Sequence, residues 1–326
     1  MFSFEYILRT IEDAVRRLHF EDAPQSLFDP IIYTLSEGGK RIRPAFVLMA
    51  CNLYRDEIDV AIDTALGIEM FHNFTLLHDD LMDEAEKRRN RPTVHVRWNR
   101  NTAVLSGDAM LIAAYRLIGC TPPAVLKPVL DLFTQTALEI CEGQQFDMEF
   151  EQREDVTEEE YMEMIRLKTA VLFACSLKSG ALIGGASERD AEILYRFGIH
   201  IGLAFQLQDD LLDVYGDAQT FGKNIGGDIL CDKKTYLSVQ MHRLTNAGQK
   251  KQIEHYRKTN ACNYTPNEKI EFITALYNEL GVKKCTQNRM KQHYDFALEE
   301  LHRLSVSRER VQGLLCVCCL LMDRTQ

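Results

Sequence analysis

Apolar residues recur three and four positions apart through residues 4–19, 105–118, 126–150, 158–183, 190–215 and 282–304, the repeat of an amphipathic α-helix, while strand-like alternation is scarce. Two stretches, 171–175 and 199–207, are apolar nearly all round, which predicts helices buried inside a bundle rather than laid on its surface. The pattern therefore predicts an all-α chain of long helices. Two polar stretches punctuated by Gly or Pro, 84–92 and 216–232, follow the carboxyl ends of apolar helices and read as flexible loops at a mouth.

Both of those helix ends carry aspartates at the same spacing, Asp79-Asp80-Leu81-Met82-Asp83 and Asp209-Asp210-Leu211-Leu212-Asp213. On a helix the first and last aspartates of each cluster project from one face, about 6 Å apart along the axis. Three carboxylates on one turn repel one another, and a hard divalent cation relieves that repulsion. Mg2+ is the natural candidate, because it takes one or two carboxylates from a protein element and completes its shell with water and phosphate oxygens.

Length and charge narrow the reading. The 326 residues contain no Ser/Gly-rich linker, and the eight prolines are scattered, so a single domain is expected, large enough to enclose a deep cavity. A net charge of −10 argues against nucleic acid as a partner and confines any anion site to a local basic patch. Among the ten cysteines, Cys141, Cys175 and Cys316 lie between apolar residues, which predicts buried free thiols in a reducing cytoplasm. The trio Cys316, Cys318 and Cys319 lacks metal-ligand spacing and reads as a core helix. The first residues lack a basic and then apolar leader pattern, and no apolar run is expected to span a bilayer.

Cations stand where a polyanion bridged to magnesium would lie. Arg88 and Arg89 follow the first cluster, and residues 38–44, Gly-Gly-Lys-Arg-Ile-Arg-Pro, place three cations in a glycine-opened turn where backbone N–H groups can approach phosphate. Lys168, Lys223, Lys233 and Lys234 accompany the second cluster and suit a departing diphosphate.

Together these residues resemble the all-trans isoprenyl (polyprenyl) diphosphate synthases. The resemblance runs through 38–44, His72, 78–89, Pro92-Thr93-Val94-His95, Ser106-Gly107-Asp108, Gly143-Gln144-Gln145-Phe146-Asp147, Lys168-Thr169, 205–213, Gly222-Lys223, Asp228 and Lys233. It implies one polyprenyl synthase domain over 1–326, with the isoprenoid synthase type I fold around a deep central cavity, and a homodimer. It also implies that Asp79, Asp80, Asp83, Asp209, Asp210 and Asp213 hold magnesium on an allylic diphosphate, with Arg88, Lys168, Lys223 and Lys233 on the same group. By the same resemblance Lys40, Arg43, His72 and Arg89 hold isopentenyl diphosphate without metal, and Thr169 and Gln206 face the reacting carbons.

The implied chemistry is coherent. Magnesium and cations draw charge from the allylic C–O bond, diphosphate departs, and an allylic carbocation forms in a dry cavity. The alkene of isopentenyl diphosphate then attacks C1, and the expelled diphosphate accepts the proton. Asn90 and Arg91 depart from the family pattern after the arginine pair, although Asn tolerates the left-handed conformation. The final residues lack the basic run of some relatives, so no role is expected for them. A class I terpene cyclase shares the first motif but differs in the second and lacks a second cation site. A non-catalytic partner subunit has no need of both clusters. Phe74 and Thr75, five and four residues before Asp79, lie one turn below the metal face and are expected to floor the chain-length cavity, giving C15 or C20 products with a lean to C20; a longer-chain synthase is the other elongating reading.

Overall fold

The structure, a computed structural model, describes residues 1–20, 24–216, 225–258 and 265–322. In chain order its elements are α1 (Phe4–Arg16), α2 (Gln25–Ser36), α3 (Ile42–Tyr54), α4 (Ile62–Met82), a hairpin of β1 (Lys87–Arg88) and β2 (Arg91–Pro92), α5 (Val94–Arg97), α6 (Arg100–Ile118), α7 (Pro123–Glu151), α8 (Glu158–Ile165), α9 (Val171–Gly184), α10 (Glu188–Tyr215), α11 (Gly227–Leu230), α12 (Tyr236–Leu244), α13 (Ala247–Lys258), α14 (Pro266–Glu279), α15 (Val282–Leu301) and α16 (Arg308–Met322). The all-α expectation holds, and helix ends follow local chemistry. Ser3 caps α1 by accepting from Tyr6 N–H at 3.2 Å. Thr157 and Glu160 form a reciprocal capping box on α8, whose first turn is acidic throughout and so complements the helix dipole.

Two departures from the sequence reading matter for the site. The helix expected over 158–183 is interrupted by a π-helical turn, Arg166–Ala170. Glycines explain how the widened turn is accommodated: a Cβ at Gly143 would sit 2.4 Å from Lys168 N, and one at Gly202 would sit 2.5 Å from Ala170 Cα. The loop 84–92 contains the antiparallel hairpin, with Arg89 and Asn90 at its tip at φ 49° and 63°. Two successive left-handed residues are what a two-residue hairpin turn requires, and Asn supplies that conformation at low cost.

The chain divides into two compact units. Unit 1 comprises Met1–Gln135, Leu172–Gly198 and Glu300–Cys318. Its core includes Phe46 edge-on to Phe173 at 5.7 Å, and Phe133 edge-on to both Phe71 at 5.2 Å and Tyr115 at 5.0 Å. Here α9 lies close to the backbone of α3, since a Cβ at Gly180 would meet Val47 O at 2.0 Å. Unit 2 comprises Thr136–Val171, Ile199–Glu299 and Cys319–Gln326. One of its clusters gathers Tyr161, Ile165, Leu203, Leu207 and Tyr236, and another gathers Leu211, Ile229, Leu237, Ile273 and Tyr277.

Two expectations need correction. Cys175 is buried, but Cys141 and Cys316 are exposed, because each falls on the outer side of its helix despite apolar neighbours in sequence. The stretch Glu158–Gly184 is long and apolar enough to cross a membrane by length and composition, its most apolar 18-residue window having a mean hydropathy of 1.3, but 78% of that window is buried in the protein. It is a core helix whose apolar residues are already covered.

Candidate active site

In unit 1, α4 ends in the first cluster because its helix is closed at Asp83, whose N–H donates to Asp79 C=O at 2.9 Å. The three carboxylates do not share one environment. Asp83 is exposed and Asp79 half-buried, whereas Asp80 is only 6% exposed and turned inward. Arg88 Nε donates to both Asp80 oxygens at 2.9 and 2.8 Å, and its Nη2 lies 2.7 Å from Asp80 Oδ1 and 3.6 Å from Asp79 Oδ2. Burial pushes the Asp80 carboxyl above its usual value, and Arg88 opposes that push. Asp80 is therefore the seat of Arg88, and the outer aspartates carry the accessible oxygens.

The turn before α3 reaches the same unit. Gly38 and Gly39 adopt φ 74° and 143°, so the chain reverses there, and a Cβ on Gly39 would collide with the Arg89 guanidinium at 2.9 Å. Arg89 Nη1 donates to Gly38 C=O, which joins the hairpin tip to this turn. Lys40 is exposed. Arg43 Nη1 donates to His72 Nε2 at 3.1 Å, and its guanidinium lies 4.5 Å from the Phe173 ring centre. Burial first, then Arg43 and its neighbours, hold His72 far below its ordinary pKa, so the ring is neutral and its Nε2 accepts. Arg41, read from sequence as one of three phosphate-facing cations, is 4% exposed. It bonds Glu12 at 2.9 Å, Glu69 at 2.5 Å and Leu35 C=O at 2.7 Å, so it pins the turn from inside.

The chain-length residues lie on different sides of α4. Phe74 packs 5.5 Å from Phe71 and 4.7 Å from His78, about 140° around the helix from Asp79. Thr75, half-buried, donates to His72 C=O at 2.8 Å and stands within about 40° of Asp79.

Unit 2 contains the second cluster near the end of α10. Asp210, 3% exposed, accepts from the Tyr161 hydroxyl, from Tyr236 N–H at 2.9 Å and from Gln206 Nε2 at 3.2 Å. Burial raises its pKa to about 7 against the pull of the Tyr161 and Tyr236 donors. Asp213 is also buried and accepts from Asp228 N–H at 3.1 Å, tying the segment after the loop back to the helix. Asp209 is half-buried. The π-helical turn presents Lys168 to Asp147 Oδ2 at 2.6 Å and Thr169 to Gln206 Oε1 at 3.0 Å. Lys233 Nζ lies 3.9 Å from the same Asp147 oxygen. Lys223 lies outside the described residues.

Sequence reasoning gave no role to Tyr161, Asp147 or Glu37. Asp147 had a signal, an acid four residues after a glycine on one face of an apolar helix. Glu37, whose carboxyl is pushed up chiefly by burial, lines a small recess with Asp80, Arg88 and Arg89, and only the fold places it there. Among the described residues no three His, Cys, Asp or Glu side chains converge as a closed metal cage. In each unit a helix end offers carboxylate oxygens, hard donors of the kind magnesium takes while keeping waters and binding phosphate oxygens.

A family model described as Polyprenyl synthetase matches residues 24–273. A short chain isoprenyl diphosphate synthase of Methanothermobacter thermautotrophicus is 40% identical over 314 residues, covering 96% of this chain and 95% of that protein. A geranylgeranyl diphosphate synthase of Methanosarcina mazei is 40% identical over 232 residues, covering 70% and 71%. A crystal structure of a geranylgeranyl pyrophosphate synthase superposes with a TM-score of 0.94 at 40% identity, covering 100% of both chains. With a family model matched over most of its length and relatives 40% identical over nearly all of it, the chain belongs to the polyprenyl synthetase family and is an enzyme of the prenyltransferase class.

Proposed function

We propose that this prenyltransferase joins isopentenyl diphosphate head to tail to an allylic diphosphate, releasing diphosphate and giving a short all-trans prenyl diphosphate, C15 or C20 with a lean to C20. The observation that carries the reading is the hairpin of unit 1. Arg88 is seated on the first aspartate cluster and Arg89 on the Gly38 turn, so one small element serves a carboxylate site and a metal-free cation site. That is the arrangement expected of a protein that handles two diphosphates.

Magnesium, when bound, supplies charge withdrawal from the departing diphosphate. Arg88, Lys168 and Lys233 neutralise that group, Lys40, Arg43 and Arg89 orient the isopentenyl diphosphate, and neutral His72 sets the Arg43 fork. Asp147 holds Lys168 and Lys233 in reach, while Thr169 and Gln206 orient each other beside the reacting carbons. Asp80 and Asp210 act as seats for Arg88 and for the Tyr161–Tyr236 pair. The family match spans segments of both compact units, which supports one functional domain over 1–326. The nine free thiols among the described residues suit a cytoplasmic location.

The test is purified protein with labelled isopentenyl diphosphate, an allylic diphosphate and magnesium, products resolved by chain length. Elongated diphosphates support the reading, hydrocarbon release points to a cyclase, and no product leaves a partner subunit. In the same assay Phe74→Ala, which removes the ring packed between Phe71 and His78, should shift products to longer chains. An unchanged distribution would remove Phe74 from the cavity floor.

A homodimer is also expected. Leu105 and Ile112 on α6 are 59% and 65% exposed, with Val104 beside them at 42%, an apolar face suited to a second copy. Light scattering at assay concentration should give twice the chain mass, and monomer alone would rule the dimer out.

A further inference from the structure

We infer that Tyr33 is a positioning residue for the diphosphate-binding hairpin, coupling the arginines of both diphosphate groups to α2. The inference rests on the functional reading above and names a residue that contacts neither substrate in it. Tyr33 is 6% exposed and stands 46 residues before Asp79. Its hydroxyl donates to Pro92 C=O at 2.8 Å. Pro92 is paired across the hairpin with Lys87, and Arg91 is paired with Arg88. The Arg91 guanidinium lies 4.1 Å from the centre of the Tyr33 ring and donates to Ser36 Oγ at 3.3 Å, one turn further along α2. A second guanidinium, Arg97, lies 4.3 Å from the same ring, and Trp98 packs edge-on to it at 5.2 Å.

One side chain thus holds both residues of the hairpin's second strand, Pro92 by a hydrogen bond and Arg91 by a cation–π contact. Such support is needed. Each strand is two residues long, and a pair that short is not stable by itself. Its tip also places Arg89 in the left-handed region, where a side chain bearing Cβ is strained. Thr93 braces the base, donating through its hydroxyl to Ala85 C=O at 2.6 Å, and Arg88 has its seat on Asp80. Neither fixes the second strand against α2; Tyr33 does.

Loss of the Tyr33 contacts should leave the Arg88–Asp80 seat in place while loosening the strand that sets the pitch of Arg88 and Arg89. Arg88 and Arg89 serve different diphosphates, so both affinities should fall together. Loss of a residue of one subsite, such as Lys40, should instead move one alone.

The experiment compares wild type, Tyr33→Phe and Tyr33→Leu in steady-state assays with each substrate varied in turn, alongside thermal melts and calorimetric titration with inorganic pyrophosphate and magnesium. Tyr33→Phe keeps the ring and loses the hydroxyl, and should raise both KM values about threefold; Tyr33→Leu loses both contacts and should raise them about tenfold, with kcat within about threefold of wild type. Pyrophosphate affinity should fall in the same order. Unchanged KM values and pyrophosphate affinity in the folded Phe variant, or a fall in melting temperature and kcat alone, would reduce Tyr33 to packing and overturn the inference. Wild type that binds pyrophosphate yet forms no prenyl product would defeat the functional reading instead, with the pyrophosphate series still deciding Tyr33. Wild type that neither binds nor turns over would defeat both.

Discussion

Asp79→Ala and Asp209→Ala should each lower turnover by about a thousandfold, a loss of roughly 4 kcal/mol in transition-state stabilisation, while leaving thermal unfolding close to wild type. The contrast with their neighbours makes the expectation sharp. Asp79 and Asp209 are half-buried at helix ends, where water reaches the place of a lost carboxylate. Asp80 and Asp210 are 6% and 3% exposed and are hydrogen-bonded by Arg88 and by Tyr161, Tyr236 and Gln206. Their alanine variants should lose stability as well as rate, because each leaves buried donors unsatisfied at about 1–3 kcal/mol per group. Activity should vanish in chelator-treated protein and return with magnesium. Paired kinetics and thermal melts on the four variants check the division. If Asp79→Ala and Asp209→Ala lose mainly stability, or if chelated protein turns over normally, the carboxylates are not metal ligands.

Arg41→Met should destabilise the protein by about 3–5 kcal/mol, read from urea midpoints. The side chain is 2% exposed and pairs with Glu69, itself 6% exposed in its side chain, so removing the cation strands a buried carboxylate. Glu12 and Leu35 C=O lose donors in the same step. Replacing both partners, Arg41→Met with Glu69→Met, should recover much of the loss, since a buried ion pair contributes little over an apolar pair of similar volume. A single-variant loss below about 1 kcal/mol would show that water reaches Glu69 and screens it. The functional corollary concerns the turn, because Arg41 joins α1, α2 and α4 immediately beside Lys40. Its loss should therefore disturb isopentenyl diphosphate binding even in protein that remains folded.

The sequence by itself determined the helical class, the place of both aspartate clusters at helix ends, and the types of cation around them. The reason is that helical periodicity, capping chemistry and the spacing of carboxylates on one turn are local, set by residues three and four apart. It could not tell which members of each chemical set face a substrate. Arg41 and Arg43 are two residues apart, yet one is sealed against Glu69 and the other meets His72, because a helix start at Ile42 turns successive side chains in different directions. Asp80 differs from Asp79 and Asp83, and Asp210 from Asp209, for the same geometric reason, completed by partners distant in sequence: Arg88 from a hairpin, Tyr161 and Tyr236 from other helices. The π-helical turn that presents Lys168 and Thr169 depends on glycines on two neighbouring helices, and Tyr33 owes its place on the hairpin to contacts 58 and 59 residues away. These are decisions of burial and long-range contact, which have no period along the chain and so leave no local mark in it.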